Sequence, residues 1–140
     1  MILNKKNFFL NLKNNFLFEN NPSIAVGVSG GPDSLALIYL MNIWIKSQKG
    51  NLVALIIDHK LRVESYGESK ATKDYLSNLN IKSKIIRVSD KKLKKRNMNE
   101  ARNNRYDKLI NYCTKNHILH LFLGHHYDDN IETFLIRKIA

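Results

Sequence analysis

Residues 29–34, SGGPDS, place two serines, two glycines, a proline and an aspartate directly after an apolar run. Glycine carries no Cβ, so a glycine-containing loop lets backbone N–H groups come close to an anion. A helical pattern starts near Ser34, and the N-terminus of a helix presents N–H groups and a positive dipole end. Ser29 and Ser34 add hydroxyl donors, and Pro32 suits the entry of a helix. The segment therefore predicts a phosphate cradle between a strand and a helix.

A nucleophile elbow is the competing interpretation, because GVSGG at 27–31 matches G-x-S-x-G with Ser29 as the nucleophile. An elbow turns sharply into its helix, whereas here Gly31, Pro32 and Asp33 intervene. Only one helical pattern precedes the segment, where a hydrolase needs sheet and an oxyanion loop. A plain helix cap would explain Asp33 but not the glycine pair beside it. No G-K-[ST] follows and no G-x-G-x-x-G is present, which excludes a Walker loop and a dinucleotide fingerprint.

Alternating apolar runs and helical patterns indicate the elements that position this loop. An N-terminal amphipathic helix comes first, strands are predicted at 23–28, 52–57, 85–88 and 119–123, and helices are predicted at 34–45, 66–79, 99–115 and 130–139. Strands made of continuous apolar residues are buried on both faces. The pattern therefore predicts an α/β fold, a three-layer sandwich of a parallel sheet with helices on both faces.

Apolar stripes at helical spacing predict which faces of these helices are buried. The stripes are Phe8, Leu12 and Phe16 in the first helix, Ala71, Tyr75 and Leu79 in 66–79, and Ile131, Phe134, Leu135 and Ile139 in 130–139. In 99–115, Arg102 shares a stripe with Tyr106, Leu109 and Cys113, which a merely solvated arginine would avoid. His120, inside the fourth predicted strand, is expected to be packed.

A polar cluster follows each of the four predicted strands: SGGPDS, DHKLR, SDKKLKK and GHHYDD. Ligands of open parallel sheets bind beyond the carboxyl ends of the strands. All four clusters are therefore expected to converge on one edge of the sheet, and the ends of the first and fourth strands are expected to be adjacent.

The charge is uneven along the 140 residues, whose formal net charge is +11. Residues 81–105 hold ten Lys and Arg against two Asp and Glu, including Lys91, Lys92, Lys94, Lys95 and Arg96. Such a patch favours a polyanion partner, although a solvated loop in a lysine-rich chain is the plainer alternative. A single cysteine excludes an intrachain disulfide, and no apolar run approaches the ~20 residues of a membrane span. We expect a cytoplasmic protein with no membrane association.

The loop SGGPDS resembles the signature of the PP-loop ATP pyrophosphatases, which cleave ATP between the α and β phosphates. Three more segments resemble one branch of that superfamily, the tRNA(Ile)-lysidine synthases: IIDHKLRVESYGES (56–69), EARNNRYDKL (100–109) and GHHYDDNIETFLIRK (124–138). The four matches occur in family order and span roughly residues 23–138. The resemblance implies a Rossmann-like fold of the adenine nucleotide alpha hydrolase type.

That resemblance implies a ligase that uses ATP and Mg²⁺ to adenylate the C2 oxygen of a wobble cytidine and then joins L-lysine there. The substrate is the isoleucine tRNA with a CAU anticodon, and AMP and pyrophosphate leave. The resemblance also admits a homodimer. Relatives that thiolate tRNA need cysteine pairs, which this chain lacks.

The resemblance assigns site residues by motif position. Catalytic roles go to Asp33, Arg102, His125 and Asp129, and ATP binding goes to Ser29, Gly30, Gly31, Pro32, Asp33, Ser34, Asp58 and His59. Asp33 and Asp129 would hold Mg²⁺, an ion that prefers oxygen ligands. The basic residues at 91–96 would contact tRNA. Either Asp128 or Asp129 could instead cap the following helix, and the side-chain roles of Asp58 and His59 stay open.

Two alternatives remain beside the ligase: another PP-loop adenylating enzyme, and a non-catalytic nucleotide-binding or tRNA-binding domain. The resembled family continues past this region with further tRNA-contacting domains. We therefore expect residues 1–140 to form one PP-loop domain that is incomplete at its C-terminus, with no second domain. Whether this length is active alone and which residues bind lysine stay open.

Overall fold

The computed structural model describes residues 5–28, 32–58, 64–88, 98–124 and 131–135. Its elements, in chain order, are α1 (Lys5–Asn15), β1 (Ser23–Val28), α2 (Pro32–Ser47), β2 (Asn51–Asp58), α3 (Glu64–Asn78), β3 (Lys82–Arg87), α4 (Met98–Lys115), β4 (His120–Gly124) and β5 (Ile131–Leu135). Within these residues, no helix is both long and apolar enough to cross a membrane.

The strands form one sheet in the order β3-β2-β1-β4-β5. The pairs β1–β2, β1–β4 and β2–β3 are parallel. Apolar residues run through β1 and through the middle of β2 because both faces of these strands are covered. The predicted parallel α/β sheet is confirmed.

β5 corrects one prediction, because residues 131–135 form a strand antiparallel to β4 where a helix was expected at 130–139. Ile131 and Thr133 are β-branched and suit a strand. Gly124 pairs with Ile131, so β5 covers the backbone groups of an otherwise open edge of β4. The helical apolar spacing of this segment was misleading because a short apolar run can form either a helix or a strand, and pairing with β4 decides between them here.

Two apolar clusters lie on opposite faces of the sheet. Residues of α1, α2 and α3 pack with Ile24, Val26 and Ile56 on one face. Residues of α4 pack with Ala25 and Leu55 on the other face. Side chains alternate along each strand, so neighbouring residues of β1 and β2 enter different clusters. The predicted three-layer sandwich is confirmed.

The stripe predicted for α1 is confirmed at Phe8 and Leu12, which are buried, whereas Phe16 follows the end of the helix and is partly buried. The stripe predicted for α3 is wrong. In α3, Ala71 is exposed and Tyr75 is 53% exposed, while Leu76 is fully buried. The crossover from β2 to β3 fixes the rotation of this short, polar helix, and Leu76 packs in the apolar cluster that also holds Ile81.

Three helices end in the same kind of turn, which returns the chain directly to the sheet. Lys49, Asn80 and His117 have φ angles of 56°, 59° and 58° after α2, α3 and α4. The next residue in each case donates its N–H to a carbonyl five residues earlier, as Ile118 does to Cys113 at 2.9 Å. Every one of these helices therefore runs antiparallel to the strands, with its N-terminus at the carboxyl ends of β1–β4.

Candidate nucleotide site

Strands β1–β4 end on one side of the sheet, which we call the carboxyl edge, at Val28, Asp58, Arg87 and Gly124. The chain winds from β1 outward to β3 and then returns to β4 on the other side of β1. The carboxyl edge between β1 and β4 is therefore the switch point, where open α/β sheets bind their ligands. As expected from the sequence, segments 29–31 and 125–130 follow neighbouring strand ends.

The N-terminus of α2 is aimed at this switch point. The helix begins at Pro32, within two residues of the predicted start near Ser34. Asp33 and Ser34 stand in its first turn, and Ser34 is buried. Four N–H groups at a helix start have no partner within the helix, and they carry the positive end of its dipole. The arrangement suits a phosphate group lying beyond β1.

Gly27 leaves room for the side chain of Leu123 just below the switch point, a role that sequence reasoning missed. It pairs with Leu123 across the two strands. A Cβ built on Gly27 would collide with the side chain of Leu123, and Leu109 of α4 lies close by. The signal was present as a glycine inside an apolar strand, which often marks a close approach.

Asp58 lies at the carboxyl edge of β2, the strand that neighbours β1 on the side away from β4. It is the last residue of β2 and is only 2% exposed. Its Oδ2 lies 4.0 Å from the Nε of Arg87, whose side chain is half exposed. The backbone N–H of Val88 donates to the carbonyl of Asp58 at 2.8 Å. The structure thus joins Asp58 to Arg87, a partner that the sequence did not indicate.

α4 brings its first turns toward the carboxyl edge on the opposite face of the sheet. Leu109 and Cys113 are fully buried, and Tyr106 packs against the same cluster, as the predicted stripe requires. Arg102 lies one turn before Tyr106 and near the start of α4. Its backbone therefore stands on the side of the helix that faces the sheet, at the end nearer the candidate site.

Other predicted site residues lie outside the described residues. They are Ser29, Gly30, Gly31, His59, Lys91, Lys92, Lys94, Lys95, Arg96, His125, Asp128 and Asp129. The backbones of Pro32, Asp33 and Arg102 are described, but their side chains are not. Within the described part of the chain, no group of three His, Cys, Asp or Glu side chains could hold a metal ion.

Two titratable residues with altered pKa values belong to the core. Cys113 is confirmed as a core residue, and burial raises the pKa of its thiol to about 12. His120 is confirmed as packed, with its ring centroid 4.6 Å from that of Phe18. Burial lowers the pKa of His120, and the nearby carboxylate of Glu19 opposes that shift. His120 begins β4, so it lies at the end of the sheet opposite the carboxyl edge.

A groove of about 510 Å³ lies between α1 and the C-terminal end of α2, away from the carboxyl edge. Its lining residues are Phe9, Lys13, Phe16, Phe18, Trp44, Ser47 and Gln48. The C-terminal end of α2 is the end remote from the switch point. The groove is therefore distinct from the candidate nucleotide site.

A parallel sheet with a helix N-terminus at its switch point is the architecture of α/β domains in which phosphorylated ligands are bound at the carboxyl ends of the strands. The chain belongs to the PP-loop domain family, whose family model matches residues 4–139.

The chain is similar to curated proteins named tRNA(Ile)-lysidine synthase. It is 40% identical over 133 residues to the one from Orientia tsutsugamushi (strain Boryong), which covers 95% of this chain and 30% of that protein. It is 40% identical over 131 residues to the one from Wolbachia pipientis wMel, and this match covers 92% of this chain and 30% of that protein. The chain thus spans about 30% of the length of these relatives.

A solved structure confirms the fold. The chain resembles the U34-tRNA thiolase NcsA from Methanococcus maripaludis with its [4Fe-4S] cluster, with a TM-score of 0.74 over 89% of this chain and 46% of that one. The two sequences are 23% identical, so this likeness bears on architecture alone.

Proposed function

We propose that this domain binds ATP at the switch point and carries out the adenylation step of a tRNA(Ile)-lysidine synthase. The observation that carries the proposal is the N-terminus of α2, which starts directly after residues 29–31 beside the adjacent ends of β1 and β4. The similarity to lysidine synthases over most of the chain supports the choice of substrate class. The site would act in the cytoplasm on the isoleucine tRNA with a CAU anticodon and on L-lysine.

The reaction has two bond exchanges. In the first, the C2 oxygen of the wobble cytidine attacks the α phosphorus of ATP, the bond to the β phosphate breaks, and pyrophosphate leaves. In the second, the ε-amino group of lysine attacks C2, a proton is lost from nitrogen, and AMP departs with the oxygen. Charge builds on the departing phosphates in both steps, so fixed donors around them lower the barrier.

The first turn of α2 would hold the pyrophosphate part of ATP. Backbone N–H groups of Asp33 and Ser34 would act without reorganisation, because the helix has already fixed the direction of these donors. Pro32 has no N–H to donate, which costs nothing at a position where the group has no helical partner. Burial of Ser34 excludes water from the base of this cradle.

Asp33 and Asp129 would hold Mg²⁺. The strand order supports this assignment, because Asp33 is in the first turn of α2, the helix that follows β1, and residue 129 comes after β4, the neighbouring strand, in the sequence. Carboxylate oxygens together with phosphate oxygens are the donor set that Mg²⁺ prefers. When bound, the ion would neutralise charge on the phosphates.

Arg102 and His125 would donate to the phosphates from the remaining sides. Arg102 belongs to the sheet-facing side of α4 near its start, and His125 directly follows β4. An arginine can donate two parallel hydrogen bonds to a phosphate, which a lysine cannot copy. The two residues would complete a cradle whose other half comes from α2.

Basic residues near the carboxyl edge would receive tRNA. Arg87 ends β3 at the carboxyl edge with an exposed side chain, and the cluster at 91–96 follows shortly afterwards in the sequence. Phosphate contacts of this kind hold and orient an RNA without reading its sequence. Recognition of the anticodon would use other groups, and a homodimer stays a prediction.

The test measures AMP release and labelled-lysine incorporation with ATP, Mg²⁺ and the CAU-anticodon tRNA, using the longest form of the protein that carries residues 1–140. Wild type is expected to incorporate lysine, and Asp33→Asn is expected to lose at least about a hundredfold in rate, the scale of a lost transition-state contact. Asp74→Asn, on the exposed side of α3, is the matched charge control.

Three results would contradict this function in different ways. Absence of lysine incorporation by the long form, with ATP still bound, would leave a different PP-loop adenylating enzyme. Binding of ATP and tRNA without AMP release would leave a non-catalytic domain. Labelling of Ser29 by a fluorophosphonate would restore the hydrolase.

A further inference from the structure

Asp58 and Arg87 form the last pair of opposed residues between β2 and β3. The two residues are register partners in the parallel ladder, which ends with them. The Nε of Arg87 lies 4.0 Å from Oδ2 of Asp58, and the side chains are 52% and 1% exposed. One member of the pair is thus enclosed by the protein while the other reaches solvent at the carboxyl edge.

The alternation of side chains places both residues on the same face of the sheet. Ala54 and Ile56 belong to the cluster under α2 and α3, and Asp58 follows at the same two-residue spacing. Ile85 packs against that cluster too, and Arg87 follows Ile85 by two. Asp58 therefore lies on the face of the sheet that α2 and α3 cover.

Because Asp58 is buried, its contact with Arg87 should contribute more to the stability of this strand end than a surface ion pair would. Surface pairs contribute little because water screens them, whereas a buried carboxylate is costly unless a partner compensates it. Removing Arg87 would deprive an enclosed carboxylate of a cation, and local rearrangement at the strand end is the cheapest response. The end of β2 would shift, although the centre of the sheet would not.

The end of β2 stands directly beside the proposed nucleotide. The ladder between β1 and β2 ends at Val28 and Ile56, so β2 extends two residues farther than β1. Asp58 therefore ends a two-residue overhang of β2 beyond its last register pair with β1. A nucleotide whose phosphates lie at α2 can extend its nucleoside part along the wall that this overhang provides.

We propose that Arg87 is a positioning residue: by holding Asp58, it fixes the end of β2 as the wall against which the nucleoside part of ATP is placed. This inference rests on the proposed function, since it presupposes that ATP binds at the switch point. Asp58 then acts through the backbone that it anchors, and Arg87 acts through Asp58.

The test measures dissociation constants for ATP with Mg²⁺ and, separately, for pyrophosphate with Mg²⁺. Variants are Arg87→Gln, Arg87→Lys, Asp58→Asn and the double variant Asp58→Asn/Arg87→Gln. Lys84→Gln removes one exposed charge from the same strand and serves as the control. Thermal unfolding of each variant establishes that it is folded at the temperature of the binding measurement.

Arg87→Gln is expected to raise the Kd for ATP about tenfold and Arg87→Lys about threefold, within the range of measured pairwise couplings. The Kd for pyrophosphate should not change, because none of the groups proposed to hold the phosphates belongs to the end of β2. Asp58→Asn should raise the Kd for ATP as much as Arg87→Gln does. The double variant should bind ATP no more weakly than either single variant. Lys84→Gln should bind like the wild type.

Two outcomes overturn the inference while leaving the proposed function intact. Unchanged ATP binding by Arg87→Gln and Arg87→Lys would mean that the pair does not position the nucleotide. Additive losses in the double variant would mean that Arg87 contacts ATP itself. A wild type that binds neither ATP nor pyrophosphate would instead overturn the proposed function, and the inference with it.

Discussion

His120 Nε2 and Glu19 Oε1 lie 3.6 Å apart beneath the ring of Phe18, at the end of the sheet opposite the candidate site. Neither Glu19 Oε1 nor His120 Nδ1 has a hydrogen-bond partner, and both atoms are buried. The contact meets a distance criterion for an ion pair, yet the pKa of His120 is lowered, because desolvation by burial outweighs the attraction of Glu19. We therefore treat His120 as neutral at pH 7.

The pH dependence of folding should reveal this neutral histidine. A histidine with a lowered folded-state pKa stabilises the fold above its unfolded pKa, near 6.5, and that contribution is lost as pH falls toward the folded value. The free energy of unfolding should fall below pH 6.5 with a slope of at most about 1.4 kcal/mol per pH unit from this group. Urea unfolding at several pH values measures the slope.

Variants at the two histidines separate this effect from general acid sensitivity. His120→Phe can stack on Phe18 and Phe122 without titrating, so its slope between pH 5 and 6.5 should be smaller than that of the wild type. His117→Asn replaces an exposed histidine at a left-handed position that asparagine tolerates, and it should keep the wild-type slope. Equal slopes for all three proteins would mean that His120 does not carry the dependence.

Two glycine-to-alanine substitutions should change stability in opposite directions. Gly27→Ala adds a Cβ that meets Leu123 between two central strands, so overpacking should cost about 1–3 kcal/mol. Gly67→Ala lies in α3 with open space around the new Cβ, and it should add about 0.5–1 kcal/mol through helix propensity. Chemical denaturation measures the free energy of unfolding of both variants. An unchanged value for Gly27→Ala would refute the close contact between Gly27 and the side chain of Leu123.

The central strands could be predicted from the sequence because burial on both faces leaves a continuous apolar run. β1 spans residues 23–28 as predicted, and β2 and β4 differ from their predicted bounds by one residue at each end. β3 begins three residues before the prediction, since Lys82 and Lys84 alternate with partly buried residues. β5 and the inward face of α3 could not be predicted, because pairing with β4 and the crossover geometry decide them.

The candidate site could be predicted as far as its local chemistry. The helix start within SGGPDS and the burial of Leu109 and Cys113 each follow from a pattern within one segment. The contacts of Gly27 with Leu123 and of Asp58 with Arg87 depend on which strands are neighbours and in what register. Only the assembled sheet supplies that information.

Cys113 should be unreactive toward thiol reagents in the folded protein. It is fully buried, and desolvation raises the pKa of its thiol from 9.0 to about 12. The thiolate is the reactive form, so its fraction at pH 8 falls about a thousandfold relative to an exposed thiol. A disulfide reagent should release one equivalent of thiol only after unfolding in urea, and rapid labelling of the native chain would contradict the burial of this residue.

Asp128 and Asp129 should differ in their effects on the metal requirement. If Asp129 holds Mg²⁺ with Asp33, Asp129→Asn removes a charged ligand, and the Mg²⁺ concentration for half-maximal ATP binding should rise about tenfold or more. Asp128→Asn should leave that concentration within about twofold and change stability by at most about 1 kcal/mol, as expected of a position outside the metal shell. Titration of Mg²⁺ at fixed ATP measures both variants, and the reverse order would assign the ion to Asp128.

Binding of tRNA should depend on salt through the lysine cluster at 91–96. Each phosphate contact that a lysine makes releases a counterion, and the logarithm of affinity falls with the logarithm of salt concentration by about 0.7–0.9 per contact. Lys91→Gln/Lys92→Gln should therefore reduce the slope by about 1.4–1.8. Lys70→Gln/Lys73→Gln removes the same charge from the exposed side of α3 and should keep the wild-type slope. Equal losses in both double variants would mean that net charge, rather than a defined contact, attracts the RNA.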